Sequence, residues 1–119
     1  MLTRAQMDRA VLAVTRVLGA WTTVPRVAEE RARNIVQAFA YDLRTRRPTR
    51  EIESMLAGHL DEHVISIAAV DAWVAFRVAT RESNLSRLAA LLTEGYSATE
   101  ASEYLQRHGW TVAEGMVRA

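Results

Sequence analysis

One stretch constrains this chain more than any other. Across residues 64–79 only Ser66, Asp71 and Arg77 interrupt a run of apolar side chains. Wound as a helix, the run puts Ile65, Ala68, Ala72, Phe76 and Ala79 on one side and Val64, Ile67, Val74 and Val78 elsewhere. A helix that is apolar all round must be buried all round. It is too short for the ~20 residues that span a bilayer, so no membrane is implied. The β-branched residues over 64–70 also allow a buried strand. Helix is preferred, because the chain holds no second strand to pair with it.

With 119 residues the chain has one domain's worth of sequence, enough to bury a substantial core. Six or seven short helices could close around residues 64–79. Burial of one face against a second copy or another protein is nonetheless favoured, since exposed apolar patches usually mark interfaces. A homodimer through this helix, with Trp73 at its centre, is the expectation.

The other elements are read from their ends. Thr3 and Gln6 have capping-box spacing, with Leu2 and Met7 as a hydrophobic staple. Met7, Val11, Val14 and Leu18 share a face, Gly19 is expected to supply a left-handed stop, and Trp21 to lie as a lid on that face. A second helix starts near Pro25 and runs to about Arg44, with Ala28, Ala32, Ile35, Phe39 and Leu43 inward and Arg26, Glu30, Arg33, Gln37 and Arg44 outward. Pro48 breaks it, and Thr49 is expected to cap a third helix carrying Ile52, Met55, Leu56 and Leu60 inward, weakened by Gly58. Three short helices then close the chain. Ser83 caps the first and Gly95 stops it, Ser97 and Glu100 box the second before His108-Gly109 ends it, and Thr111 and Glu114 box the third.

Composition removes several chemistries. Cysteine is absent, so disulfides, thiolate catalysis and cysteine-based zinc sites are excluded. All fifteen basic residues are arginine, which excludes lysine Schiff bases and phosphate-loop lysines. A GC-rich coding sequence is the ordinary cause of that bias. Ten arginines face four acids over residues 1–50, and five face ten acids over 51–119. The first 25 residues carry Arg4, Asp8, Arg9 and Arg16, which leaves no signal-peptide core, so a cytoplasmic location is expected.

Two motifs bear on chemistry. His59-Leu60-Asp61-Glu62-His63 spells H-x-x-E-H, in which two histidines one helical turn apart bind zinc and the glutamate activates water. It needs a third ligand, for which Glu82 has no supporting pattern, so a polar helix end is the preferred reading. Ser97-x-x-Glu100, Leu105 and Thr111-Val112 have helix-turn-helix spacing. The second helix of that unit would offer only Thr111, Glu114 and Arg118 to DNA, and residues 83–119 hold three arginines against four glutamates, opposite to what phosphate neutralisation requires. A nucleic-acid surface, if present, would use Arg26, Arg33, Arg44, Arg46, Arg47 and Arg50. Neither a glycine-rich phosphate cradle nor a nucleophile elbow is found, so no cofactor and no enzymatic activity are expected.

The run Gly95-Tyr96-Ser97, Glu100-Ala101, Leu105, Gly109, Val112 and Gly115-Met116 resembles the ubiquitin-associated (UBA) three-helix domain and its relative at the start of bacterial elongation factor Ts. The resemblance covers residues 83–118. Glu94 stands where that family usually has Met, and its customary final Leu is not reached. It implies an apolar protein-binding surface at or near Glu94, Gly95, Tyr96 and Met116. In size and helical make-up the chain also resembles, in type only, the small bacterial antiactivators that sequester transcription factors, including those of quorum sensing.

The expected fold is therefore all-α: an N-terminal part of about four helices over residues 1–82, packed against a three-helix unit at 83–119. The expected function is non-enzymatic regulation by contact with another protein, such as a transcription regulator, with a DNA-binding regulator as the alternative. Trp73, Phe76 and Tyr96, flanked by Tyr41 and Arg44, are the expected contact residues, since aromatics and arginine dominate interface energetics.

Overall fold

A computed structural model describes residues 1–40 and 48–110. These form six helices and no strand: α1 (Arg4–Leu18), α2 (Pro25–Phe39), α3 (Thr49–Leu56), α4 (Ile65–Ala79), α5 (Asn84–Thr93) and α6 (Ala98–Arg107). The all-α expectation holds, and residues 65–79 are helix rather than strand. No helix among the described residues is long and apolar enough to cross a membrane.

The caps explain most of the boundaries. Thr3 Oγ1 accepts from the Gln6 N–H at 3.1 Å while the Thr3 N–H donates to Gln6 Oε1 at 2.7 Å, closing the predicted box. Ser97 and Glu100 repeat it on α6 at 2.9 and 3.1 Å, and the Ser83 hydroxyl accepts from the Ser86 N–H on α5. Each such cap stabilises its helix by about 1 kcal/mol. Gly95 and Gly109 lie at φ +96° and +75°. The Tyr96 N–H reaches the Leu91 carbonyl and the Trp110 N–H the Leu105 carbonyl, so both helices end in the left-handed turn that glycine tolerates best.

Three local expectations need correction. Gly19 is right-handed at φ −60°, because the chain leaves α1 through further turns rather than a left-handed stop. Thr49 is the first residue of α3 and caps nothing; Pro48 holds the cap position. Gly58 does not weaken α3, since the helix has ended at Leu56 and Gly58 turns the chain at φ +81°. The expected Thr111–Glu114 box, Leu43 and the end of the second helix lie outside the described residues.

The core is built in two parts with α4 as their common wall. On one side Ala68, Ala69, Ala72, Trp73, Ala75, Phe76 and Ala79 pack with Val14 and Leu18 of α1, Ile35 and Phe39 of α2, and Ile52 and Leu56 of α3. On the other, Val74 and Val78 pack with Leu88 and Leu91 of α5 and Ala101, Tyr104 and Leu105 of α6. The alanines on α4 let neighbouring backbones approach, which is how short helices cover so apolar an element. One chain thus covers most of the helix, leaving Ile67 near its start half exposed, so the apolar character of α4 does not by itself call for a second copy.

Trp73 and Phe76 are corrected with it. They are 2% and 3% exposed, with Trp73 stacked on Phe76 at 5.4 Å and edge-on to Phe39 at 5.9 Å. Their position on α4 aims both rings into the larger core, so no partner reaches them without opening the chain.

Polar side chains fasten the α4–α5 junction. Gln6 Nε2 donates to the Thr80 carbonyl, and Arg9 Nε to the Ala79 carbonyl at 2.6 Å. Arg9 and Arg87 both donate to the Arg81 carbonyl, at 3.2 and 2.9 Å. Arg87 is 7% exposed, bonds Asn84 Oδ1 and lies 5.0 Å from the centre of the Trp110 ring.

Candidate functional site

Two surface features stand out among the described residues. The first is the outer side of α5. Its ten residues contain more apolar positions than one helix face can bury, and the division is clean: Leu88 and Leu91 enter the core, while Leu85, Ala89 and Leu92 stay outside at i, i+4 and i+7. Leu85 and Leu92 are 55% and 45% exposed, an apolar stripe on the solvent side of the helix. Other exposed apolar residues, Leu12, Val24 and Ile67, sit on different elements.

The second is a pocket of about 400 Å³ where α1, α4 and α6 meet. Arg16 and Val17, with Ala20 just beyond α1, form one wall. Asp71 comes from the middle of α4, and Tyr104, Arg107 and His108 from the end of α6. Tyr96, in the α5–α6 turn, completes the rim. Trp21 packs against the larger core, and its indole N–H donates to Asp71 Oδ2 at 2.9 Å. The aromatic groups stack in series. Tyr96 meets Tyr104 edge-on at 5.7 Å, Tyr104 stacks on His108 at 4.8 Å, and His108 on Trp110 at 4.9 Å. The Arg107 guanidinium lies 5.7 Å from the Tyr104 ring centre.

This packing sets the protonation states. Burial, followed by repulsion from Arg16 and Arg107, lowers the His108 pKa to about 4, so its imidazole is neutral at pH 7. Burial raises both tyrosine hydroxyls, and the nearby Asp71 carboxylate raises them further. Tyr104 is 6% exposed, yet neither its hydroxyl nor His108 Nδ1 has a hydrogen-bond partner among the described residues. Two residues that line the pocket thus each hold a buried polar atom without a partner among the described residues, as Trp73 does at Nε1 in the larger core. A second groove of about 420 Å³ between α1 and α2 has no such atoms, and its Arg33 is already paired with Glu29.

The structure scatters the site residues expected from sequence. Tyr96 is half-buried at the pocket rim; Trp73 and Phe76 are core; Tyr41, Arg44, Arg46 and Arg47 lie outside the described residues. Arg26 and Arg33 bind Glu30 and Glu29 one turn along α2, at 3.0 and 2.9 Å. These two members of the expected basic surface are thereby neutralised by their own helix, although Arg50 is exposed. His59, Glu62 and His63 lie exposed in the turns between α3 and α4, so the helical spacing that the zinc motif requires is not formed. No group of three metal-ligating side chains occurs among the described residues.

Asp71, Arg16, Tyr104 and His108 were not legible as a group, because three helices far apart in sequence supply them. Leu85 and Leu92 did carry a signal: six apolar residues within the eight positions 85–92 exceed one face. No protein family, curated protein or solved structure matches this chain.

Proposed function

We propose that this protein is a small, non-enzymatic regulatory binding protein that acts by contact with another protein. The observation that carries this reading is the Leu85–Ala89–Leu92 stripe, apolar and exposed on a helix whose opposite side is fully committed to the core. A helix face of this kind lays its i, i+4, i+7 anchors into an apolar groove or against an apolar partner helix. The stripe and Tyr96 both lie within residues 83–118, the segment that resembles the UBA domain. Sequestration of a transcription regulator, as in the small helical antiactivators, is the form of regulation proposed.

The test is affinity capture from the native source with the natural chain and with Leu85→Arg/Leu92→Arg side by side, on preparations of matched melting temperature. The natural chain is expected to enrich a protein that the variant does not, with little dependence on salt because the contact is apolar. Identical captured sets from both would overturn the reading. Light scattering on the same pair identifies self-association: a dimer present in the natural chain and lost in the variant would make the partner a second copy.

A further inference from the structure

The pocket between α1, α4 and α6 holds opposite charges that do not neutralise each other. Arg16 and Arg107 line it from two helices and Asp71 from a third, yet neither arginine is within ion-pair distance of Asp71. Among the described residues Asp71 takes its one side-chain hydrogen bond, on Oδ2, from Trp21. Behind the lining, the Tyr104 hydroxyl and His108 Nδ1 are buried and have no hydrogen-bond partner among the described residues. A fold that only needed to pack would close the ion pair or replace the Tyr104 hydroxyl by hydrogen, since an unsatisfied buried hydroxyl costs about 1–3 kcal/mol.

We infer that this pocket binds a small amphoteric molecule, one carrying both a carboxylate and a protonated amine, of about the size of an aromatic amino acid. The two guanidinium groups take the carboxylate, for which arginine's planar donors are suited. Asp71 takes the ammonium. Val17 and the rings of Tyr96 and Tyr104 offer apolar surface to the rest of the molecule. A volume of about 400 Å³ is at the lower end of the range that small-molecule pockets occupy.

The probes are L-phenylalanine, 3-phenylpropionate, which lacks the amine, and phenethylamine, which lacks the carboxylate, each titrated calorimetrically into the natural chain. Phenylalanine is expected to saturate one site, and each truncated probe to bind about tenfold more weakly or worse, the loss of one charge-assisted contact. Asp71→Asn, which can still accept from Trp21, should abolish the preference for phenylalanine over 3-phenylpropionate. Arg107→Gln separates the two charges: it should weaken phenylalanine and 3-phenylpropionate together while leaving phenethylamine binding unchanged, on protein whose melting temperature shows that it is folded. No heat from phenylalanine at millimolar concentration on folded protein would overturn the proposal. Equal binding of 3-phenylpropionate would overturn it as well, and would make the site one for simple organic anions.

Discussion

His108 shows how a single side chain can be placed by its neighbours and still carry a cost. Its ring is clasped between Tyr104 and Trp110, and burial with two nearby guanidinium groups drops its pKa from an ordinary 6.5 to about 4. A histidine depressed in this way favours the folded chain only while both states are neutral. Its contribution is therefore fully present above pH 6.5 and is lost as the pH falls towards 4, because the unfolded chain takes up the proton first. Measured from pH 7.5 to 4, the melting temperature of the natural chain should fall relative to that of His108→Phe as the pH drops below 6.5; parallel curves would show that His108 plays no part in acid sensitivity. Tyr104 and His108 stand at i, i+4 spacing, so their stack has a local basis in the sequence. The protonation state of His108 has none, because Arg16 arrives from a helix about ninety residues away.

At the scale of elements the sequence was most readable where side chains bond their own backbone. The Thr3–Gln6 and Ser97–Glu100 boxes and the Ser83 cap are local chemistry, complete within four residues, and the structure forms each one. Ala28, Ala32, Ile35 and Phe39 of α2 and Ile52 and Leu56 of α3 were legible for the same reason, as spacing alone decides which residues share a face. Local chemistry misleads where a residue's conformation depends on the path the chain takes after it. Gly19 looked like Gly95, but only Gly95 has positive φ. Gly95→Ala should cost about 1–2 kcal/mol, the left-handed penalty for a residue with a Cβ; nothing lies within 4 Å of the added carbon, so no clash enters. Urea denaturation of Gly95→Ala beside Gly19→Ala tests this, with the larger loss expected at Gly95. Trp73 is a different case. An aromatic at the centre of an apolar helix reads equally as anchor or as core, and only the arrangement of α1, α2 and α3 around it decides.

For the molecule as a whole, α4 is shared property. Its two sides belong to different clusters, and the smaller one is incomplete without Val74 and Val78 of α4, so the α5–α6 unit has no closed core of its own. The sequence boundary near residue 82 is accordingly a change of layer, and unfolding should not respect it. Leu91→Ala, made wholly on the tail side, should destabilise the chain by about 2–5 kcal/mol, the usual cost of such a core truncation. The near-ultraviolet signal, to which Trp73 in the larger core contributes, should melt together with far-ultraviolet helix content at the lower temperature. Two separated transitions would mean that the tail unfolds alone.

The clasp at the α4–α5 junction bears on how the chain is made. Gln6 and Arg9 find their acceptors seventy or more residues later, on Ala79, Thr80 and Arg81. A ribosome adding roughly 5–20 residues per second leaves α1 without these contacts for about 4–14 seconds. During that interval Val14 and Leu18 have no α4 to lie against, and the earliest-made helix is also among the last to be secured.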